Sequence, residues 1–412
     1  MQIRPTTDQD LDLFVDTLHV AFGQFGGTPD ENGGGVWWSA LEMDRGLLAV
    51  TPDGRAVGTA AAYSFELTLP GEVLVPTAGV TAVGVLPTHR RQGLLTAMMR
   101  HQLTELRARG EFLSVLLASE ALIYRRFGYG PATYTGRLTV ERHRSAFALP
   151  RAHRTTDAES SAAGTDTGSV EVLRRAACGE ILEEVYDRYR RAQPGALSRP
   201  HHWWARGAGQ VPVAPTPRYV AVHRDVDGVP DGYASYSLDG GVLTVDETIA
   251  TNDTAATALA RFALGHDLAT RVVFKHLPSE HPLRWQLADF NATEASSNTD
   301  WLWVRLLDVP RALTARGWFA DGELVLDVDD PFLGEHTRYL LTVRDGKADC
   351  VPTDREPDLS LDVSDLGSVY LGGTTPSTLV RAGHIHAHHP GAAALADQLF
   401  RSDRTPHCLH WF

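Results

Sequence analysis

Between Thr81 and Arg109 the spacing of apolar residues changes from that of a strand to that of a helix across a short basic turn, and no other stretch constrains the fold as much. Thr81-Ala82-Val83-Gly84-Val85-Leu86 reads as a strand, and Pro87-Thr88-His89-Arg90-Arg91-Gln92-Gly93 as the turn that ends it. Leu94, Leu95, Met98, Met99, Leu103 and Leu106 then recur at three- and four-residue intervals, which predicts a helix over about 91–109 with one apolar face on a sheet. Those leucines and methionines are core side chains. Strand-like runs at 46–51, 56–67 and 79–85 precede the helix, and the continuous apolar run 112–118 follows it as a buried strand. The arrangement is α/β.

A chain of 412 residues exceeds what one hydrophobic core organises, and 43% hydrophobic residues supply apolar material for two or three domains. The net charge of −13 opposes binding to a phosphate backbone and favours cationic partners, so nucleic acid is not expected as a partner. Cys178, Cys350 and Cys408 are odd in number and lack the spacing of a metal site or a disulfide framework. The first residues carry no basic stretch followed by an apolar run, and no segment approaches the ~20 apolar residues of a membrane span. The expectation is a cytoplasmic protein with reduced thiols.

Low-complexity polar sequence at 151–170 reads as a linker. Beyond it a helix at 181–192, strands at 218–222, 232–238 and 242–249, a helix at 255–268 and a strand at 271–275 repeat the first unit's order. This second unit has no glycine-rich turn between its 242–249 strand and its helix. Alternating segments at 323–328, 339–343 and 359–363, with helices near 376–382 and 392–401, form a smaller α+β unit that starts at about 302. Three segments follow, at 1–150, 170–298 and 299–412.

The turn carries the chemistry. Backbone N–H groups from Arg91 to Leu94, with the positive end of the helix dipole, suit a pyrophosphate; Arg90 and Arg91 add charge, and Gly93 permits close backbone approach. Pro87 helps end β pairing and leaves the strand splayed. His384, His386, His388 and His389 cluster, but alternate spacing turns them to different faces and no carboxylate or Cys completes a set; no metal is expected.

Arg90-Arg91-Gln92-Gly93-Leu94-Leu95 resembles the acyl-CoA-binding motif of GNAT N-acetyltransferases, with Leu95 where that motif has Gly or Ala. With the stretch Ala118-Ser119-Glu120-Ala121-Leu122-Ile123-Tyr124-Arg125-Arg126-Phe127-Gly128-Tyr129-Gly130, the three-part layout and the terminal Phe412, the chain resembles the "enhanced intracellular survival" (Eis) family over nearly its whole length. The resemblance implies a catalytic GNAT domain at 1–150, a degenerate GNAT-like domain at 170–298, a sterol-carrier-protein-like α+β domain at 299–412, and a homohexamer. It implies acetyl-CoA as cosubstrate and direct transfer to an amine, on aminoglycoside-like compounds, polyamines or lysine side chains.

It also assigns roles. Amine acetylation needs a neutral nucleophile, whereas a free alkylamine has a pKa of about 10; the family's base is the terminal carboxylate, here that of Phe412. Tyr124 matches the general acid that protonates the leaving thiolate, with Tyr129 and Phe127 as neighbours in the same stretch. Val83 would offer an oxyanion N–H, and Val83 and Val85 would bond the pantetheine arm as a strand does. Asp30, Glu31, Trp37 and Trp38 correspond to the substrate-lining segment, carboxylates and aromatic faces being suited to cationic amines. Trp411 and Phe412 could equally plug an apolar groove, and a lipid- or partner-binding protein with a vestigial acetyltransferase domain is the competing reading.

Overall fold

The computed structural model describes residues 1–23, 40–148, 168–205 and 219–412. The linker expected at 151–170 falls almost entirely outside them. Two compact units form: Met1–Thr133, Arg191–Pro212 and Asp300–Phe412 make one, and Tyr134–Arg190 with Val213–Thr299 make the other.

Among the described residues the first unit holds two sheets. In the larger, β1 (Gln2–Pro5), β2 (Leu47–Val50), β3 (Ala56–Leu69) and β4 (Val73–Val85) are antiparallel neighbours in that order. Next comes β5 (Leu113–Leu117), parallel to β4 but joined to it only at Ala78↔Ser114 and Gly79↔Val115. Helix α1 (Leu11–Phe22) packs Phe14 and Leu18 with Leu48, Ala61 and Ala82. Helix α2 (Leu94–Ala108) buries Leu94, Met98, Met99, Leu103 and Leu106 as its periodicity predicts, and starts three residues later than expected because Arg91 and Gly93 are left-handed, at φ +61° and +80°. A four-residue helix α3 (Ala121–Tyr124) runs into a 3-10 turn closed by left-handed Gly128, followed by β6 (Gly130–Pro131).

The linear segments divide differently in space. Strand β7 (Tyr134–Glu141), within the first linear segment, belongs to the second unit's sheet, while β14 (Leu302–Leu306), read in the sequence as the start of the third segment, lies between β5 and β6. Strand exchange of this kind leaves no local trace, because β14 is as apolar as any buried strand and its partner β5 is distant in sequence.

The second unit's sheet contains β7 with β8 (Ser169–Arg174), β9 (Tyr219–Arg224), β10 (Pro230–Asp239), β11 (Val242–Ala250), β12 (Arg271–Leu277) and β13 (Thr293–Asp300), in the order β13-β7-β12-β11-β10-β9-β8. It also has α4 (Ile181–Ala192), α6 (Asp253–Leu264) and α7 (Leu283–Gln286). Helix α5 (His201–Ala205) belongs to the first unit, where Leu197 bridges Leu67 of β3 and Trp203 is buried.

The remaining sheet, in the order β17-β16-β15-β18-β19, is formed by β15 (Gly322–Asp330), β16 (Glu335–Arg344), β17 (Lys347–Pro352), β18 (Leu359–Asp362) and β19 (His386–Ala387). It is accompanied by α8 (Val309–Ala315), α9 (Val363–Tyr370), α10 (Pro376–Arg381) and α11 (Ala392–Phe400). Every residue of α9 is buried, so no amphipathic stripe marks it in the sequence. Among the described residues no helix is long and apolar enough to cross a membrane.

Candidate active site

β4 and β5 part after Gly79, opening a fork in the first sheet. A bulge in β4 lies beyond it: Ala82 and Val83 together oppose Ala60, Ala82 has φ +53°, and the Thr59 hydroxyl donates to the Ala82 carbonyl at 2.8 Å. A bulge leaves one residue out of the ladder and bends the strand there. Val83 and Val85 are half-buried there.

The turn at the end of β4 has the features of an anion cradle. None of the N–H groups of residues 91–96 finds a backbone acceptor among the described residues. Gly93, the N-cap of α2, offers no side chain, the first turn holds no acidic residue, and a Cβ at Gly93 would meet nothing within 4 Å. Arg91 is exposed. Arg90, expected to add charge, is committed elsewhere: its guanidinium donates to the carbonyls of Val85 (3.1 Å) and Ala21 (2.6 Å), tying the turn to β4 and to the C-terminal end of α1. Leu94 is 5% exposed and anchors the turn among Leu47, Ala49, Val57, Ala60 and Met98.

The second unit fills the equivalent places from within. Its β11 and β12 pair in parallel to Val245↔Phe274, and at the next step Lys275 Nζ bonds Asp246 Oδ1 at 2.6 Å, bridging the fork. At the start of α6 the Asn252 side chain caps Ala255 N–H, and Asp253 occupies the first turn. A capped helix start carrying a carboxylate repels a phosphate.

Tyr124 shares an apolar cluster with Ala78, Val80, Tyr129 and α2, with Val83 packed against it. It is 8% exposed, and burial pushes its phenol up to about 12. Its hydroxyl has no hydrogen-bond partner among the described residues, whereas that of Tyr129 is held by Ser114 Oγ at 2.6 Å, which separates the free phenol from the structural one. Phe127 is core, edge-on to Phe332.

Phe412 closes the other side. Its ring is 7% exposed, with centroids 5.0 Å from Phe65 and 6.4 Å from Tyr63, in a nest completed by Trp203 and His410. A Cβ on Gly79 would lie 3.1 Å from Phe412 Cε2, so the terminal ring lies against the fork's last paired residue. Successive strand residues point to opposite faces. Tyr124 therefore packs on the face of Ala78 and Val80, and Phe412 on the face to which Gly79 would direct a side chain.

Asp30, Glu31, Trp37 and Trp38 lie outside the described residues. The four clustered histidines have separate partners: His384 Nδ1 accepts from Arg125 at 2.7 Å, His388 meets Ser360 Oγ at 2.9 Å, His389 meets Asp358 at 2.8 Å, and His386 packs edge-on against His388. Gly79 and the aromatic nest escaped the sequence reading because their residues are dispersed from position 63 to the terminus.

Comparison with known proteins agrees with this layout. Residues 2–132 match an acetyltransferase (GNAT) domain family, residues 195–306 a second acetyltransferase (GNAT) domain family, and residues 309–409 the sterol carrier protein domain. The N-acetyltransferase Eis of Mycobacterium bovis is 35% identical over 379 residues, 89% of each chain. The chain belongs to the Eis family of N-acetyltransferases. The crystal structure of Eis1 from Mycobacterium abscessus matches with a TM-score of 0.84 at 33% identity across 100% of both chains. An uncharacterized N-acetyltransferase of Streptomyces griseus is 34% identical over 395 residues, 93% of this chain and 92% of its own. As an Eis-family acetyltransferase, the chain combines GNAT domains with a sterol-carrier-type C-terminal domain, the mixed α/β architecture expected from its sequence.

Proposed function

We propose that the protein transfers the acetyl group of acetyl-CoA directly to an amine of a cationic acceptor in the fork between β4 and β5. The observation that carries this reading is the docking of Phe412 on Gly79, which brings the terminal residue to the fork. Acetyl-CoA supplies the acetyl group as a thioester. The open N–H groups of residues 91–96, Gly93 and Arg91 suit its pyrophosphate, and β4 beyond Gly79 offers an unpaired edge for its pantetheine arm.

The terminal carboxylate orients the acceptor ammonium and draws off its proton. Val83 N–H, at the bulge, stabilises the developing oxyanion. Tyr124, kept protonated by burial, donates to the departing thiolate. The second unit, with its bridged fork and capped helix, serves no second cofactor. The acceptors are aminoglycoside-like amines, polyamines or lysine side chains, which the net charge of −13 attracts.

Residues appended to Phe412 convert its carboxylate into an amide while keeping every side chain. Turnover of acetyl-CoA with a panel of primary amines should be abolished by a C-terminal extension and retained with the same extension on Met1. A folded, fully active C-terminally extended protein excludes the terminal carboxylate. No turnover by the unextended protein with any amine, despite acetyl-CoA binding, excludes the enzymatic reading.

A further inference from the structure

Tyr124 ends a helix that cannot hold itself. With four residues, α3 is far below the length at which an isolated helix persists. Leu122 is 93% exposed, so the buried ring of Tyr124 and the half-buried Ile123 are the helix's packed apolar side chains. The position of the phenol therefore depends on the packing of its ring and on what grips the residues beside it.

Two arginines brace the stretch that follows Tyr124, one at Arg125 and one under Gly128, and both end on carboxylates of the C-terminal segment. Arg125 Nη2 bonds Oδ1 of Asp365, whose side chain is 3% exposed, and also donates to His384 Nδ1 at 2.7 Å. Arg305 of β14 is fully buried, bonds Asp330, and lies under left-handed Gly128, where an added Cβ would come within 2.6 Å of its Cζ. Helix α9, which carries Asp365, is seated without slack: Gly130 lies against the Ser364 carbonyl and Ser368, and Gly367 against the Val304 carbonyl. Asp365 is a fixed point, and Arg125 is the strut from it to the residue after Tyr124.

We propose that Asp365, through Arg125, is a positioning residue that holds the Tyr124 phenol at the fork, making the sterol-carrier-type domain part of the catalytic apparatus. The proposal rests on the reading of Tyr124 as the general acid. Displacing a proton donor by about 1 Å costs on the order of 10²-fold, so loosening α3 reduces turnover while the acetyl-CoA cradle around Gly93 is untouched.

The test is a cycle of Asp365→Asn and Tyr124→Phe, with kcat, the KM for acetyl-CoA and the melting temperature measured for the full chain. Asp365→Asn should lower kcat about 10- to 100-fold with the KM for acetyl-CoA unchanged, and should add little to the loss in a Tyr124→Phe background. Arg125→Lys, which keeps the charge but shortens the reach, should lose less than Asp365→Asn; it also carries the test should Asp365→Asn fail to fold. An equal fold-loss from the Asp365 or Arg125 substitution in both backgrounds overturns the proposal, since it would then act without the phenol. So does a folded variant at either position with wild-type kcat. Full turnover by Tyr124→Phe alone removes the acid reading and the proposal with it.

Discussion

Phe412, the last residue of the chain, lies with its ring against Gly79, the last residue of β4 that still pairs with β5. Gly79 has no exceptional backbone angle; it is required because its side-chain direction is filled by the rings of Phe65 and Phe412.

Gly79→Ala should therefore displace a ring and not strain the backbone. Overpacking of this kind costs about 1–3 kcal/mol of stability, which thermal melting would read. If the terminal residue acts at the fork, turnover falls by about tenfold or more while acetyl-CoA affinity, proposed to reside in the turn after Val85, stays near wild type. Undiminished turnover would mean that the position of Phe412 is irrelevant to the chemistry.

Gly93 separates charge from strain. At φ +80° with open space beyond it, Gly93→Ala meets no clash and carries only the left-handed penalty of about 1–2 kcal/mol. Gly93→Asp adds a carboxylate that suits the helix dipole but opposes a bound pyrophosphate. Relative to the alanine variant, the aspartate variant should melt no lower yet bind acetyl-CoA about tenfold more weakly. Equal affinities by calorimetry would place the pyrophosphate elsewhere.

These contrasts mark what was legible in the sequence. Helix α2 announced itself through its apolar period, and the turn before it through its proline and glycine residues. Helix α1 did not, because Leu11, Leu13, Val20 and Phe22 remain exposed beside buried Phe14 and Leu18, blurring its stripe. Strand β13, Thr-Glu-Ala-Ser-Ser-Asn-Thr-Asp, has almost no strand propensity and is ordered by its neighbour β7. The commitment of Arg90 to two carbonyls depends on where α1 ends, which no local pattern encodes.

Burial gives Tyr124 a definite pH signature. With its phenol near 12, above the ordinary value of 10, the acid form persists across the working range. An alkaline limb of kcat that belongs to Tyr124, identified by its loss in Tyr124→Phe, should fall near pH 12; one near pH 9 would contradict the buried placement. The stability sign follows: the neutral phenol's contribution is complete below pH 10 and is lost as pH rises through about 12.

The second unit should respond to acid instead. His281, whose Nδ1 accepts from Leu283 N–H at 3.2 Å, is pushed by burial down to about 4, with Asp253 opposing the shift. A depressed histidine stabilises the fold above its unfolded pKa of about 6.5 and loses that contribution as pH falls through about 4. Amide protection in α7 should weaken over this window, and His281→Asn, which keeps an acceptor without the titration, should flatten it. An unchanged acid profile in that variant would assign the loss to another group.

The exchange of β7 for β14 also dictates a schedule. During synthesis from the N-terminus, β5 emerges with no partner on its outer side, and that edge stays open until the whole second unit has been translated and β14 follows. Non-local pairings of this kind fold late and leave unpaired strand edges exposed in the interval. The ring that covers Gly79 belongs to position 412, far downstream even of β14, so the fork stays bare until that residue has been added.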